Sequence, residues 1–451
     1  MPCSFYITAA HKSSGKTVVS IGISAALSER SLSIQTFKKG PDYIDPIWLS
    51  QASNNPCYNL DFFNMSNDDI VSLYSSNAYN SDVNIIEGNK GLYDGVSPFG
   101  GDSNADLAKL LNIPVILVID VTGITRGVAP LLKGYQDFDS GVKIAGVIFN
   151  KVAGDRHESK LIQATKYYTD IPILGSIRRS IDLVIEERHL GLMPANETPE
   201  SKSLIGLSAK RIADQVDLEK IISLNQLPVQ STTPGVININ KSLTLAVAKD
   251  SAFGFYYQDD IDAFKSLGVD IVYFNTLTDA KVPSADALFI GGGFPETQLE
   301  SLSLNISLLN DIKAKIEAGL PTYAECGGMM YLSRQITYNG DSHKMVGIIK
   351  ADTLMTDKPI GRGYVKLKPT KRHLWNDVAK QINAHEFHYS KLENIDPKTD
   401  YAYRVLRGVG VDNKRDGIIV HNLMATYSHL RNVGSNKWAE QFVNFIKSKK
   451  L

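Results

Sequence analysis

Two short stretches carry the residue types that phosphate and acyl chemistry require. AAHKSSGKT (9–17) follows the apolar run SFYIT (4–8) and precedes the helical pattern VVSIGISAALSER (18–30). In a strand–loop–helix of this kind, backbone N–H groups and the helix N-terminus face phosphate oxygens. Lys12, Ser13, Ser14 and Gly15 form the loop, Lys16 is placed to reach the β- and γ-phosphates, and Thr17 to put its hydroxyl on Mg2+. The glycine that opens a strict GxxxxGK[ST] loop is missing. Ala10 stands in its place, and Ala9 stands where a loop one residue longer would begin. Alanine fits there if its φ is negative. Taken alone, Gly-Lys-Thr also reads as a chance helix start.

The second stretch, AECGGMMYL (324–332), sets Cys326 between the apolar run LPTYA and the helical pattern GGMMYLSRQI. A nucleophile on a strand-to-helix turn needs small neighbours, and Gly327 and Gly328 supply them. The helix N-terminus is expected to lower the thiol pKa. Upstream, FIGGGFPE (289–296) is a glycine loop after a strand. Backbone N–H groups of Gly292, Gly293 and Gly327 suit an oxyanion. His429, in ATYSHLRN (425–432), is the candidate base. For a single cysteine the competing reading is a buried inert thiol.

Carboxylates surround the first stretch. KKGPDYIDP (38–46) and IIEGNKGLYDG (85–95) place Asp42, Asp45, Glu87 and Asp94 near the C-terminal ends of expected strands. That is the edge where α/β sheets bind ligands. Glu87, ending a strand beside the loop, is placed to hold Mg2+ directly or through water. Each acid alone reads as solvated; together with the loop they read as a site.

The elements that must position these groups alternate. Strands are expected at 4–8, 34–38, 82–88, 114–120, 144–150 and 172–177, with helical stretches between them, such as 18–30 and 105–112. After a polar stretch at 224–242 the alternation resumes, with strands at 243–250, 270–275, 285–293 and 320–328. Apolar strands separated by helices imply parallel sheets covered on both faces. The 451 residues exceed one ordinary core, and two α/β domains are expected, at 1–230 and 243–451. Lys+Arg and Asp+Glu are both 48, which argues against a polyanion partner such as nucleic acid. No apolar run approaches the roughly 20 residues of a membrane span, and the first residues lack a basic n-region. Three cysteines suggest no disulfide framework, and the expected address is the cytoplasm.

Longer motifs add to this reading. FKKGPDYIDP (37–46), NLDFF (59–63), EGNKGLYDG (87–95), SNADLAKLLNIPVILVID (103–120), EERHLGLMPA (186–195), AVAKDSAFGFYY (246–257), GGGFPE (291–296), AECGGMMYL, HEFHYS (385–390) and TYSH (426–429) together resemble the cobyrinic acid a,c-diamide synthase family. The resemblance implies two tandem three-layer α/β domains. A P-loop NTPase-like parallel sheet of the dethiobiotin-synthetase type would precede a triad-type, flavodoxin-like glutamine amidotransferase domain. It implies a ligase in which ATP phosphorylates the a and c acetates of a tetrapyrrole and ammonia from glutamine displaces phosphate. Cys326 would attack glutamine and His429 would shuttle the proton. Glu87 and Thr17 would hold Mg2+, Asp42, Tyr43 and Asp45 would handle substrate, and Asp45 and Asp94 would orient the reacting groups. Lys38, Lys39, Arg188 and His189 are candidates to meet substrate carboxylates, although Lys39 equally reads as a solvated lysine. The partners implied are small molecules, namely ATP, glutamine and a tetrapyrrole polycarboxylate, with a homodimer left open and two sites joined by a passage expected.

The chain departs from the family pattern in places. Ala9 stands at the first loop glycine, Ser13 at the middle one, and Lys12 is an added cation that either assists a phosphate or points into solvent. Where related triads carry a Glu two residues after the histidine, this chain has Arg431, so a third member, if there is one, lies elsewhere. Gly254 stands where a cysteine is common. The motifs do not separate cobyrinate from siroheme or (nickel-)sirohydrochlorin as the macrocycle. Rivals from other classes are a P-loop switch or partitioning ATPase, which leaves AECGG idle, cobyric acid synthase, and a scaffold with a decayed site.

Overall fold

The computed structural model describes residues 2–180, 187–188, 191–224 and 243–450. They fall into two compact units, Met1–Gly235 and Val236–Leu451. The boundary expected at 224–242 lies, apart from Leu224, outside the described residues.

In the first unit, short apolar runs joined by crossover helices form one sheet. Its strands are β1 (Cys3–Ala9), β2 (Ile34–Lys39), β3 (Tyr58–Leu60), β4 (Val83–Gly91), β5 (Val115–Asp120), β6 (Ile144–Val152) and β7 (Ile173–Arg178). They lie in the order β3-β2-β4-β1-β5-β6-β7, and each pairing is parallel. All seven residues of β1 are buried, as a parallel strand covered on both faces requires. The three-residue strand β3 was too short to show a period in sequence. A small hairpin pairs β8 (Glu187–Arg188) with β9 (Gly191–Leu192).

Register sets up the first site. Ile7 on β1 and Lys38 on β2 both stand opposite Glu87 on the intervening β4. Helices α1 (Lys16–Ser28) and α2 (Ile44–Ser53) follow β1 and β2. The loop after β1, the end of β2 and the end of β4 therefore converge on one C-terminal edge.

The second unit contains β10 (Leu243–Ala248), β11 (Val269–Phe274), β12 (Ala287–Ile290), β13 (Thr322–Glu325), β14 (Gln335–Tyr338), β15 (Asp341–Lys344) and β16 (Asp352–Met355). It continues with β17 (Gly361–Pro369), β18 (Ile382–His388), β19 (Ser390–Glu393), β20 (Asp400–Arg407), β21 (Arg415–Val420) and β22 (Leu423–Thr426). The main sheet runs β11-β10-β12-β13-β22-β21-β20-β17-β18, and a smaller one runs β15-β14-β16-β19. From β11 to β22 the pairing is parallel, and beyond β22 it is antiparallel.

Alternate residues of the central strands enter two separate cores. Leu245, Val247, Phe289 and Tyr323 pack on one side, and Ala246, Leu288, Ile290 and Ala324 on the other. The parallel part is thus buried on both faces, as expected, while the antiparallel extension was not foreseen. The helix expected through GGMMYLSRQI stops at Leu332. Ser333 turns extended, its hydroxyl donating to Met330 O at 2.7 Å and Gln335 O at 3.0 Å, and Gln335 opens β14.

Candidate active sites

In the altered phosphate loop the left-handed backbone falls on one serine and one glycine. Ala9 ends β1 as extended chain, so its methyl meets no steric bar. The left-handed positions are Ser13, at φ 64°, and Gly15, at φ 81°. Gly15 is also closely packed: a Cβ there would lie 2.2 Å from Asn150 Nδ2, which donates to Ser14 O at 2.9 Å. Serine in the left-handed region costs roughly 1–2 kcal/mol, which a glycine would not incur. Ser14 is buried and its hydroxyl donates to His11 O at 2.8 Å, the Tyr135 hydroxyl donates to Ala10 O, and Lys12 is exposed.

Beside the loop lies a buried charge cluster. Lys38 Nζ is 2.5 Å from Asp45 Oδ2, 3.1 Å from Glu87 Oε1 and 3.9 Å from Asp42 Oδ2. The Thr17 hydroxyl donates to Glu87 Oε1 at 2.6 Å and to Asp45 Oδ2 at 3.3 Å, and Lys16 Nζ stands 4.0 Å from Glu87. Two ammonium groups therefore face three carboxylates. Burial pushes the Glu87 carboxyl up to about 7, against the pull of Lys38 and Lys16. Burial also lowers Lys16, whereas Asp45 and Glu87 outweigh burial at Lys38 and raise it well above its ordinary value. Lys38, expected as a candidate to meet substrate carboxylates, is buried beside the phosphate loop against Asp45 and Glu87 of the chain itself. Lys39 is only 7% exposed, so a plain solvated role is ruled out for it.

The other expected acids are placed differently. Asp42 Oδ1 accepts from Ile44 N and Asp45 N at 2.9 and 3.1 Å, fixing the start of α2, and Tyr43 is buried there. Asp94 Oδ2 accepts from Gly91 N at 3.0 Å, turning the end of β4 back against Ala10. His189 and the side chain of Arg188 lie outside the described residues.

The cluster fits a hard cation. Glu87 Oε2 is buried with no hydrogen-bond partner among the described residues. With Thr17 and Asp45 it makes an all-oxygen donor set. Among the described residues no group of three or more His, Cys, Asp or Glu side chains forms a cage. Mg2+ needs none, since it keeps waters and phosphate oxygens. Next to Gly15, within the same unit, a cavity of about 450 Å³ is lined by Asp120, Asn150, Lys151, Arg179 and Arg211 among others. That is room for the nucleoside end of a nucleotide.

In the second unit Cys326 sits on an elbow with φ 46° and ψ −105°, its N–H donating to Thr426 O at 2.7 Å. The backbone packed around the elbow leaves no room for a Cβ on its glycines. A Cβ on Gly327 would lie 2.9 Å from Gly293 O, one on Gly328 2.2 Å from Ile290 O, and one on Gly293 2.0 Å from Ala252 O. Gly292 packs on the base itself, where a Cβ would lie 2.6 Å from His429 Cε1. The structure brings Gly292, Gly293, Gly327, Cys326 and His429 together.

The expected low thiol pKa is not found. Burial pushes the Cys326 thiol up, the Glu296 carboxylate adds to this, and the Gly327 N–H only partly opposes it. The helix after the elbow spans six residues, and desolvation is the largest influence on the thiol.

Sequence reasoning missed several neighbours. His429 Nδ1 lies 3.4 Å from Glu325 Oε2, both side chains buried. The His385 ring stacks on His429 at 4.9 Å and 15°, and their backbones pair. Burial and the neighbouring His429 keep the His385 pKa well below its ordinary value, so this ring is neutral. Arg431 turns away to Asp259, at 2.9 Å, and lies over the Tyr257 ring. Glu325 was visible as the residue before the cysteine, but only packing shows its histidine. His385 was visible in HEFHYS without a partner.

Known proteins match in the same two parts. Residues 6–192 match the CobQ/CobB/MinD/ParA nucleotide binding domain, and residues 244–436 the CobB/CobQ-like glutamine amidotransferase domain. A phosphate loop and a cysteine elbow in one such chain define a ligase of the glutamine amidotransferase class. Cobyrinate a,c-diamide synthase from Magnetococcus marinus is 41% identical over 449 residues, covering 98% of this chain and 96% of the relative. Those from Methanococcus maripaludis and Methanocaldococcus jannaschii are 40% and 39% identical, covering 94% and 96% of this chain and 96% of each relative. The chain belongs to the cobyrinate a,c-diamide synthase family.

Proposed function

We propose that the chain amidates the a and c acetates of cobyrinate, using ATP and glutamine, through an acyl phosphate. The observation that carries this reading is Cys326, held at φ 46° beside Gly327, whose backbone packs on Gly293, with His429 packed on Gly292. A nucleotide switch has no use for that arrangement. Both co-substrates belong to the cytoplasm, which supports that address.

At the first site, an acetate oxygen of the macrocycle attacks the γ-phosphorus of ATP and ADP leaves. Lys16 and the loop N–H groups bind the charge that builds on the phosphate oxygens, and Lys38 adds a second cation from the sheet side. Thr17, Asp45 and Glu87 would hold Mg2+, which supplies electrostatic stabilisation of the phosphates when bound. Ammonia then adds to the acyl carbon, the C–O bond to phosphate breaks, and one proton is lost to give the amide. A second ATP and a second ammonia complete the other acetate.

At the second site, the Cys326 sulfur attacks the glutamine amide carbon as His429 takes the thiol proton. The N–H groups of Gly292, Gly293 and Gly327 receive the oxyanion. The proton passes to the departing nitrogen, ammonia leaves, and water cleaves the thioester to glutamate and thiol. Because the resting thiol is held protonated by burial, proton removal must accompany attack.

The test is a panel of cobyrinate, hydrogenobyrinate, sirohydrochlorin and siroheme with ATP and glutamine, read by mass. Two successive amidations of cobyrinate are expected. Amidation of sirohydrochlorin or siroheme alone would replace the macrocycle, and no amidation of any would overturn the reading.

A further inference from the structure

We infer that Glu325, the residue immediately before the nucleophile, is the positioning carboxylate of the glutaminase site and completes a Cys326–His429–Glu325 triad. This rests on the proposed glutaminase role of Cys326 and His429.

The argument begins with the two oxygens of Glu325. Oε1 accepts from the Tyr323 hydroxyl and from Leu430 N, both at 2.8 Å, so the carboxylate cannot swing. Oε2 is then the oxygen nearest the imidazole, 3.4 Å from His429 Nδ1, within ion-pair distance but not aligned as a hydrogen bond. Catalytic contacts are often this long before substrate binds. Leu430 follows His429 in the chain, so one carboxylate grips both the ring and the backbone beside it. Tyr323 and Glu325 lie two apart on β13 and share a face, and Cys326 begins the elbow at its end.

Among the described residues, two other neighbours of the ring are engaged differently. Arg431, at the position where a triad acid is otherwise found, is committed to Asp259. His385 covers a face of the ring through stacking, which fixes its plane but presents no acceptor to its edge. With Nδ1 facing a carboxylate, the favoured tautomer carries its proton there, leaving Nε2 to take the thiol proton. The carboxylate also stabilises the imidazolium formed as sulfur attacks. A buried thiol held protonated needs such a base, so the two features belong together.

The test compares wild type, Glu325→Gln, Tyr323→Phe and Cys326→Ala for glutamate release from glutamine and for amidation driven by high ammonia. Gln keeps the acceptor for Tyr323 and Leu430 but offers an N–H to Nδ1, which enforces the wrong tautomer. The expected result is a loss in glutamine-dependent kcat of about a hundredfold or more, with KM for glutamine little changed and ammonia-dependent amidation retained. The acid limb of kcat/KM against pH should move as well, because the imidazolium loses its counter-charge, and Glu325→Asp should recover part of the rate. Glutaminase within about threefold of wild type, with an unmoved pH profile, overturns the inference. If Glu325→Gln loses both activities and its cooperative melt, Tyr323→Phe decides: a lower kcat at constant KM with a moved profile supports the role, and wild-type behaviour overturns it. If Cys326→Ala itself still hydrolyses glutamine, the underlying assignment fails instead, and the two failures are told apart.

Discussion

The Lys38 ammonium lies 3.1 Å from the Glu87 carboxylate, with 1% and 0% of the two side chains exposed. Neighbouring strands put them opposite one another, so the contact is a property of sheet order. An ion pair this deep costs desolvation on both sides and persists because Asp45 and Thr17 share it.

Removing Lys38 should therefore affect stability and chemistry together. Lys38→Met leaves Glu87 and Asp45 buried without their cation, a loss of about 3–5 kcal/mol for a broken buried pair. Thermal unfolding should show the first unit melting earlier. Amidation should fall with glutamine and with ammonia, while glutamate release persists. Unchanged melting with full ammonia-dependent activity would remove Lys38 from the site.

Glu87 should link Mg2+ to pH. Its folded pKa, about 7, is raised above the ordinary 4.5. The folded state thus holds the proton more tightly, and this group's contribution to stability falls as pH rises from about 4.5 through 7. Mg2+ competes with that proton, so half-saturating Mg2+ should rise as pH drops below 7. Glu87→Gln should abolish this dependence and lower turnover by tenfold or so, the equivalent of about 1.4 kcal/mol. A Mg2+ titration matching wild type at pH 6 and 8 would refute the metal role.

Ser13 tests the altered loop. Ser13→Gly suits φ 64° and should leave KM for ATP equal or lower. Ser13→Val forces a β-branched residue into the left-handed region, at about 1–3 kcal/mol. It should raise KM for ATP several-fold. Equal ATP saturation curves for the two variants would show that the loop does not retain this conformation.

The two sites should separate by mutation. Cys326→Ala is expected to abolish glutamine-dependent amidation and spare the ammonia-dependent reaction. Lys16→Ala or Thr17→Ala is expected to remove both while glutamate release continues. Because burial holds the Cys326 thiol protonated, its alkylation by iodoacetamide should still be rising past pH 9. A plateau near neutrality would contradict the burial effect.

Local order was legible in the sequence because it depends on near neighbours. The apolar runs that become β1, β5 and β10 are continuous since both faces of each strand are covered, and glycines at 15, 327 and 328 mark turns where a side chain would collide. Ala9 was likewise readable, since only its own φ mattered. The antiparallel extension was not, because its strands alternate weakly and β17 pairs with β20 past two intervening strands. Only the tertiary structure decided that Lys38 is buried against Glu87, that Ser13 takes the left-handed turn, and that Glu325 faces His429. Each depends on groups far apart in sequence, and desolvation acts on them only once packing has removed the water. The thiol of Cys326 shows the difference most directly: its short helix argued for a lowered pKa, and burial, absent from the sequence, reversed the sign.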